Sequence, residues 1–205
     1  MDGPMKVIGI IGGIASGKST VSRAMKNLGA GYINADEIGR DVIEIPEIVQ
    51  QMKARWADRG HITDRLGKVR RDIVANIVFN DSQELEFLDA ICSSPVKSRI
   101  QQSLSYFHPD YTQAVILDAP LLLEANWNRM CDIIIYVEAS KEARVERAGQ
   151  REDCPLDALE LTKREAAQFD LTMKEEFSSH TIDNSGDWPA TMKQVQSFWS
   201  EVINV

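Results

Sequence analysis

Short apolar runs recur along this chain, separated by longer stretches in which apolar residues repeat at helical spacing. The runs lie at residues 6–11, 31–34, 114–118, 133–138 and 180–183. Such runs are typical of strands covered on both faces, as the strands of a parallel sheet are. Because helical stretches alternate with the strands, the pattern predicts an α/β fold with a five-stranded, doubly wound parallel sheet flanked by helices.

The first and last helices have the clearest apolar faces. The first is expected to end at Gly29, because glycine readily adopts the left-handed conformation that closes a helix. Its apolar face consists of Val21, Ala24, Met25 and Leu28. The last helix is expected to begin after Asp187 and to pack an apolar stripe on the sheet. That stripe consists of Trp188, Met192, Val195, Trp199 and Val202.

Two stretches between strands are longer than the dozen or so residues that a simple crossover needs. We expect a helical insertion at about 37–107 and a helical, arginine-bearing lid at about 140–178. Residues 1–205 would form a single domain, and its core would consist of the residues outside the insertion and the lid. The core segments would be 1–36, 108–139 and 179–205.

Two helices are expected near the end of the insertion. The first would present one apolar face to its neighbours. Ser94 would then cap a second helix with Pro95 at its first position, where proline is well tolerated. The apolar face of the first helix consists of Leu85, Leu88, Ile91 and Cys92.

Composition narrows the class of protein. With 205 residues, 43% of them hydrophobic, the chain suits one globular domain, and no apolar run approaches the roughly 20 residues of a membrane span. The three cysteines are scattered and no export signal precedes the first strand, so we expect a cytoplasmic protein. The net charge of -8 argues against a broad nucleic-acid-binding surface, because that surface would be basic.

A glycine-rich segment connects the first predicted strand to the first helix. It reads Gly12-Gly13-Ile14-Ala15-Ser16-Gly17-Lys18-Ser19 and matches the phosphate-loop pattern G-x-x-x-x-G-K-[ST]. Backbone amides in such a loop point toward an anion, and the helix N-terminus adds a partial positive charge. Lys18 would reach the β and γ phosphates of a nucleotide, and the Ser19 hydroxyl would bind Mg²⁺. The alternative is a glycine turn that only starts a helix.

Asp118 ends the apolar run at 114–118 and is the second candidate ligand of Mg²⁺. The carboxyl ends of parallel strands line the ligand crevice, so Asp118 is expected beside the phosphate loop. A residue that caps the segment begun by Pro120 is the alternative. The chain has no Asn-Lys-x-Asp segment of the kind that reads guanine in switch GTPases, so we expect ATP to be the nucleotide.

The phosphate loop and Asp118 predict an ATP-dependent kinase. Such an enzyme also needs a group that accepts the proton of the hydroxyl being phosphorylated. Asp36 follows the second predicted strand at the carboxyl edge of the sheet and suits this role, although a plain helix N-cap is the alternative. In the lid, Arg144, Arg147 and Arg151 are spaced to share one helical face that would close over the phosphates. A solvated basic face is the alternative there.

Three segments, in this order and spacing, resemble the dephospho-CoA kinase family. They are the phosphate loop through Thr20, then Asn34-Ala35-Asp36-Glu37-Ile38-Gly39-Arg40, then Leu117-Asp118-Ala119-Pro120-Leu121-Leu122-Leu123-Glu124. Many enzymes share the first segment, whereas the other two segments are much more specific to this family. The resemblance spans nearly the whole chain. Further matches are Arg71 eight residues before Phe79, the pair Arg147 and Arg151, Gln168, Lys174 and Ile182-Asp183-Asn184.

The resemblance implies a P-loop kinase fold that transfers the γ-phosphoryl group of ATP to the ribose 3′-hydroxyl of dephospho-CoA, the last step of coenzyme A synthesis. By the family pattern, Asp36 would be the proton acceptor, and Arg40 and Arg71 would hold the acceptor substrate. The other expected catalytic residues are Lys18, Arg147 and Arg151. Further acceptor contacts are expected from Pro120, Leu121, Leu122 and Glu124. The expected ATP-binding residues are Gly12, Gly13, Ile14, Ala15, Ser16, Gly17, Lys18, Ser19, Thr20, Arg144 and, at the adenine, Asn184.

ATP and dephospho-CoA are therefore the expected partners, with Mg²⁺ as cofactor. We expect the protein to bind neither nucleic acid nor a membrane, and to be a monomer or a weak homo-oligomer. Two other interpretations stay open on sequence alone. The chain could be another small-metabolite or nucleotide kinase on the same fold, because fold does not fix the substrate. It could also be a nucleotide-binding module with weakened catalysis. The presence of Lys18, Ser19, Asp36 and Asp118 argues against that second interpretation.

Overall fold

The computed structural model describes residues 5–150, 155–166 and 168–203. It contains a five-stranded sheet in the order β2-β3-β1-β4-β5, and each pair of neighbouring strands is parallel. The predicted fold class is confirmed, and each strand lies where an apolar run predicted it. The bounds are Lys6–Gly12 for β1, Gly31–Asn34 for β2, Ala114–Asp118 for β3, Ile133–Glu138 for β4 and His180–Asp183 for β5.

The helices of the described residues surround this sheet or belong to the long insertion after β2. In chain order they are α1 (Lys18–Asn27), α2 (Ala35–Val42), α3 (Pro46–Arg55), α4 (Arg71–Phe79), α5 (Ser82–Ser105), α6 (Lys141–Gly149), α7 (Ala158–Glu165), α8 (Leu171–Glu176) and α9 (Trp188–Phe198). A 3-10 turn spans Trp127–Met130, and a π-helical turn, Trp199–Ile203, follows α9.

The chain divides into two compact units, and the sheet belongs to the unit built from residues 1–34 and 104–205. The strand β1 lies at its centre, with Ile8 and Ile10 fully buried. The order of the strands places β1 beside β3, although β2 follows β1 in the chain. In open α/β sheets, ligands bind at the carboxyl ends of the strands where the order switches in this way. The phosphate loop follows β1 and Asp118 ends β3 at that switch.

The end and apolar face of the first helix agree with the prediction. In the last helix the prediction is wrong for one residue, Trp188. The C-cap of α1 is Leu28, and Gly29 follows with a φ of 107°. In α9, the Asp187 carboxylate accepts a hydrogen bond from the amide of Ala190 at 3.0 Å, so it caps the helix as expected. Val195 and Trp199 are buried in the core, and Met192 and Val202 pack against it.

Trp188 does not pack on the sheet as the stripe predicted. Its side chain is 45% exposed. Trp188 begins α9, beyond the carboxyl end of β5, and it lines a cavity with Gly17 and Thr20 of the phosphate loop and α1. Helical periodicity places a residue on a face of its helix, but it does not show how far the sheet beneath that face extends.

Residues 35–103 form the second compact unit, which has a hydrophobic core of its own around Trp56. The carboxylate of Glu84 is buried there and accepts hydrogen bonds from Trp56 Nε1 at 2.7 Å and from Arg55 Nε at 2.9 Å. The bond from Arg55, then the bond from Trp56, hold the pKa of Glu84 below its ordinary value. A buried carboxylate of this kind fixes how α3 and α5 pack within the unit.

Helix α5 differs from the predicted pair of helices, because it continues through Pro95 without a break. Ser94 is therefore an exposed helical residue and does not cap a new helix. Proline inside a helix removes one backbone hydrogen bond. Here Val96 and Ile100 are buried on the same helix, and their burial favours its continuation. Leu88, Ile91 and Cys92 pack on the second unit's core as expected, whereas Leu85 is 40% exposed.

The lengths and apolar content of the helices also bear on membrane association. Across residues 5–150, 155–166 and 168–203, none of the helices combines enough length with enough apolar character to cross a bilayer.

Candidate active site

The phosphate loop has the backbone conformation that its glycines predicted. Gly12 and Gly17 have φ values of 149° and 94°, which disfavour any side chain. A Cβ on Gly12 would lie 2.5 Å from the carbonyl oxygen of Val137, and one on Gly17 would collide with the Asn184 amide. Neighbouring chain segments therefore approach the loop so closely that only glycine fits at these two positions.

Lys18 begins α1, and its ammonium group folds back over the loop. Its Nζ donates hydrogen bonds to the carbonyl oxygens of Gly12 at 3.1 Å and Gly13 at 2.8 Å. The backbone amides of Thr20 and Val21 donate to the Gly17 carbonyl, so the helix starts directly from the loop. Ser19 and Thr20 are exposed in this first turn. A cation and a helix N-terminus at one loop form an anion-binding arrangement.

Asp118 lies beside the strand that carries the loop, because it pairs in register with Ile10 of β1. Its side chain is almost fully buried, and its Oδ2 accepts a hydrogen bond from the Tyr32 hydroxyl at 2.7 Å. Tyr32 comes from β2, which pairs with β3 on the other side. The carboxylate is thus oriented by a neighbouring strand and is placed at the switch in strand order.

Ser19 and Asp118 together fit the chemistry of Mg²⁺. The ion prefers oxygen ligands and usually takes only one or two from the protein, with phosphate oxygens and water completing the octahedron. The described residues contain no cluster of three or more histidine, cysteine or acidic side chains that would hold a metal without a nucleotide. A hydroxyl and a carboxylate beside a phosphate loop therefore fit an ion that arrives with its nucleotide.

Asn184, just after β5, holds the loop from behind. Its Nδ2 donates to the carbonyl oxygen of Ser16 at 2.8 Å, and its Oδ1 accepts from the Thr191 hydroxyl at 3.0 Å. Both bonds are buried. The Asn184 carbonyl also accepts a hydrogen bond from Arg147 Nη2 at 2.8 Å. The side-chain amide predicted to touch adenine is thus already engaged in fixing the phosphate loop to α9, and the backbone carbonyl of the same residue binds the lid.

The lid arginines do not behave alike. Arg144 is buried against the phosphate loop, where a Cβ on Gly13 would lie 3.2 Å from Arg144 Cδ, and its guanidinium pairs with Glu165 of α7. Arg147 lines the cavity beside Trp188. Helix α6 ends at Gly149, and Arg151 lies outside the described residues. The structure therefore brings two of the three predicted guanidinium groups to the loop, and it assigns them different neighbours.

The segment after β3 is tied to the lid through Glu124. Its Oε1 accepts a hydrogen bond from the Phe169 amide at 2.9 Å and lies 3.5 Å from Lys174 Nζ. Lys174 is nearly fully buried and donates to Gln168 Oε1 at 2.7 Å. Of the other residues predicted here to contact the acceptor, Pro120 is partly exposed, Leu121 is 46% exposed and Leu122 is fully buried in the core.

The remaining predicted residues belong to the unit formed by residues 35–103. Asp36 is exposed in the first turn of α2, one residue inside the helix, so it is not the N-cap. Arg71 Nη2 donates to the carbonyl oxygen of Arg40 at 3.0 Å and lies 3.6 Å from Glu44 Oε1. Arg40 and Arg71, 31 residues apart, are therefore neighbours within this unit.

Sequence reasoning missed three residues near the loop. Tyr32 orients Asp118, Glu165 pairs with Arg144, and Trp188 lines the cavity at the start of α9. No local pattern distinguishes Tyr32 or Glu165, since each finds its partner through tertiary packing. For Trp188 the sequence did hold a signal, because this residue directly follows the helix cap Asp187 and lies four residues after Asn184, a predicted site residue.

Comparisons with known proteins agree with this geometry. A sequence model of the family described as dephospho-CoA kinase matches residues 6–190. The dephospho-CoA kinase of Moorella thermoacetica is 33% identical over 200 residues, covering 97% of this chain and 92% of the relative. That of Clostridium tetani is 32% identical over 194 residues, covering 94% of this chain and 84% of the relative.

Two solved structures share the fold. A Thermus thermophilus protein has a TM-score of 0.82 at 26% identity, over 98% of this chain and 99% of that one. The dephospho-CoA kinase of Campylobacter jejuni has a TM-score of 0.74 at 20% identity, over 97% of each chain, which is a likeness of fold alone. With the family match over residues 6–190 and relatives at 32% and 33% identity, the phosphate loop, the Asp118 strand and the lid have one explanation: the chain belongs to the dephospho-CoA kinase family.

Proposed function

We propose that this chain transfers the γ-phosphoryl group of ATP to the ribose 3′-hydroxyl of dephospho-CoA, giving coenzyme A and ADP. The observation that carries the proposal is a phosphate loop closed by Gly12 and Gly17, with Lys18 folded over it, in a chain of the dephospho-CoA kinase family. Membership in that family supports dephospho-CoA as the acceptor, and the phosphate loop supports ATP as the phosphoryl donor.

The triphosphate of ATP would lie against the amides of residues 12–20. Lys18 would move from the loop carbonyls to the β and γ phosphates, because a phosphate oxygen is a stronger partner for an ammonium group than a neutral carbonyl. Arg144 and Arg147 would add positive charge from the lid, and Arg151 would act with them. Asn184 would contribute by holding Ser16 and Arg147 in place.

Transfer would proceed in line. The 3′-hydroxyl oxygen bonds to the γ phosphorus while the bond from that phosphorus to the bridging oxygen of ADP breaks, and the hydroxyl proton passes to Asp36. Most of the rate comes from positioning and from neutralising charge on the phosphoryl oxygens. Ser19 and Asp118 would hold Mg²⁺, which when bound supplies part of that neutralisation.

The acceptor would be held by Arg40 and Arg71, whose adjacency within their own unit supports a shared anionic partner such as a phosphate group of dephospho-CoA. Pro120, Leu121 and Glu124 would contact it from the segment after β3. Leu122 supports that segment from within the core, since its buried side chain packs against the position of Gly9.

We also propose that the enzyme works in the cytoplasm as a monomer or a weak homo-oligomer. The free thiols of Cys92 and Cys131 support a reducing compartment. Light scattering over a range of protein concentrations would measure the oligomeric state directly.

An acceptor panel tests the proposed reaction. The chain with ATP and Mg²⁺ is offered dephospho-CoA, nucleosides and nucleoside monophosphates, and product is measured by chromatography. We expect dephospho-CoA to give the highest kcat/KM. A nucleotide that is phosphorylated faster would instead identify another small-molecule kinase on this fold, and ATP binding without any transfer would identify a binding module.

Asp36→Asn tests the proton acceptor. Losing general-base assistance is expected to lower kcat by about 100-fold or more, while the affinity for ATP changes little. Glu37→Gln is the matched control, since Glu37 is the next acidic residue of the same helical turn and is also exposed. Equal turnover in the Asp36→Asn variant and the wild type would remove Asp36 from the mechanism.

A further inference from the structure

The first residue of α9 is a large aromatic side chain left in contact with solvent. Trp188 is 45% exposed, whereas Val195, Phe198 and Trp199 on the same helical segment are buried in the core. Burying the indole in that core would stabilise the fold, because burial removes a large apolar area from water. Large exposed apolar side chains also occur elsewhere in the described residues, so the neighbours of this indole decide what it can do.

The indole lines a cavity of about 220 Å³ beside the phosphate loop. Gly17 and Thr20 line the same cavity from the loop and the first turn of α1, and Arg147 lines it from the lid. The remaining lining residues are Asn184 and Gly186, from the segment between β5 and α9. A molecule in this cavity would touch the loop expected to hold phosphates and an aromatic face at once.

Arg147 supplies an available hydrogen-bond donor there. One of its guanidinium nitrogens, Nη2, is fixed by the Asn184 carbonyl at 2.8 Å. The other, Nη1, is buried and has no hydrogen-bond partner within the part of the chain that the structure describes. A buried donor without a partner is costly, so a ligand that supplies an acceptor would be stabilised at this position.

A planar, heteroaromatic group attached to a chain of phosphates matches these features. The flat π-face suits the indole, nitrogen or oxygen acceptors on the group or its sugar suit Arg147, and the phosphates suit the adjoining loop. Apolar ligands would leave Arg147 unpaired, and a simple anion would not use the aromatic face.

We propose that Trp188 is the stacking platform for the base of the nucleoside triphosphate, with Arg147 beside it in the same cavity. This inference rests on the proposed function for its ligand. Stacking on an aromatic side chain tolerates any base, because every base has a π-face. Trp188 therefore contributes affinity common to the purine triphosphates, and it leaves the choice between adenine and guanine to other contacts.

Binding experiments without acceptor test the role of Trp188 independently of transfer. ATP, GTP and inorganic tripolyphosphate are titrated calorimetrically into the wild type, Trp188→Ala and Trp188→Phe. We expect Trp188→Ala to weaken ATP and GTP binding by roughly 10-fold or more, and Trp188→Phe to retain affinity within about 3-fold. Tripolyphosphate should bind all three proteins within about 2-fold, because it carries no base and uses only the loop and the lid arginines.

Fluorescence provides a second measurement. The chain has four tryptophans, and stacking of a base on Trp188 should quench its emission. The quench by ATP is expected to persist in the control Trp127→Phe and to disappear in Trp188→Phe. Circular dichroism and urea unfolding would show that each variant folds.

The outcomes separate this inference from the proposed function. If the wild type binds ATP and Trp188→Ala binds it equally well, or if the quench persists in Trp188→Phe, the stacking role is overturned while the kinase assignment stands. If the acceptor panel fails but Trp188→Ala loses nucleotide affinity selectively, the stacking role stands and the proposed reaction is overturned. Equal weakening of tripolyphosphate and ATP would show that the substitution damages the loop, and would also overturn the stacking role.

Discussion

At Gly17 the backbone has a φ of 94°, and the Asn184 amide packs directly against its Cα. Two independent constraints, one conformational and one steric, therefore exclude a side chain. The position lies at the start of α1, where the loop amides turn toward the expected phosphates. A change that shifts either the loop or Asn184 alters the geometry of the binding site as well as the stability of the fold.

Gly17→Ala is accordingly expected to lower the free energy of unfolding by about 1–3 kcal/mol, from strain and from displacement of Asn184. ATP affinity should fall as well. Urea unfolding and calorimetric titration would measure the two effects.

Gly39→Ala is the contrasting variant. Gly39 lies within α2, and a Cβ there would meet no atom within 4 Å among the described residues, apart from its chain neighbours and the backbone of its own helix. Alanine favours a helix interior over glycine, so stability should rise by about 0.5–1 kcal/mol. If Gly17→Ala proved as stable as the wild type, the close approach of Asn184 would not constrain the loop.

Individual residues also show where prediction from sequence ends. The loop conformation follows from a contiguous segment, because its glycines and the adjoining helix are encoded side by side. The bond from Tyr32 to Asp118 joins residues 86 apart, and it exists because β2 pairs with β3. Strand order is a property of the assembled sheet, so no local spacing could have predicted that contact. The same holds for Glu165 and Arg144.

At the scale of elements, strands were easier to predict than helix boundaries. An apolar run identifies a buried strand whatever its neighbours are, and each of the five runs is a strand. Ser94-Pro95 has the sequence of a helix start, yet α5 passes through it. A proline that is favourable at the first turn is also tolerated inside a helix when flanking residues are buried, and burial depends on the tertiary fold.

Within the lid, α6 and α7 are joined by the ion pair of Arg144 and Glu165. Arg144 is almost completely buried, so its charge has lost most of its hydration and depends on this partner. We expect a double-mutant cycle with Arg144→Met and Glu165→Gln to give a coupling free energy of about 1–3 kcal/mol in urea unfolding.

Arg164 and Glu160 provide the control pair on α7. Their side chains are 48% and 46% exposed, and they lie one helical turn apart. Screening by water and ions limits such a pair to about 0.3–0.5 kcal/mol. A coupling for Arg144 and Glu165 no larger than that of the control would show that the buried pair does not hold the lid helices together.

The whole molecule combines a net charge of -8 with a site built for anionic substrates. The acidic composition argued against binding of a polyanion such as nucleic acid, and it could not show where an anionic substrate would bind. Local features prevail over the net charge at short range, since a helix N-terminus, a lysine and lid arginines act within a few ångströms whereas distant acidic residues are screened. The division into two units, with separate cores, was likewise not evident from composition.

Each compact unit contains one described thiol whose pKa is raised in the folded protein. Burial, and then the nearby Asp132 carboxylate, raise the pKa of Cys131 to about 12 in the unit that holds the sheet. Burial, and then Asp89, raise the pKa of Cys92 to about 11 in the other unit. A raised pKa disfavours the thiolate, which is the form that reacts. Both thiols should therefore become reactive only when their own unit opens.

We expect iodoacetamide at neutral pH to label Cys92 and Cys131 at least about 100-fold more slowly in the native Cys154→Ser protein than in the same protein in urea. Mass spectrometry of the two peptides at increasing urea concentration would report the opening of each unit separately. Native labelling at the unfolded rate would show that these thiols are not protected.

The hydrogen bond from Asn184 to Ser16 joins residues 168 apart. During translation the glycine segment leaves the ribosome first, and the amide that completes its support is added 168 residues later. A nascent polypeptide therefore lacks this buried hydrogen bond until Asn184 has been synthesised. We therefore expect a fragment that ends before Asn184 to bind ATP more weakly than the full chain does.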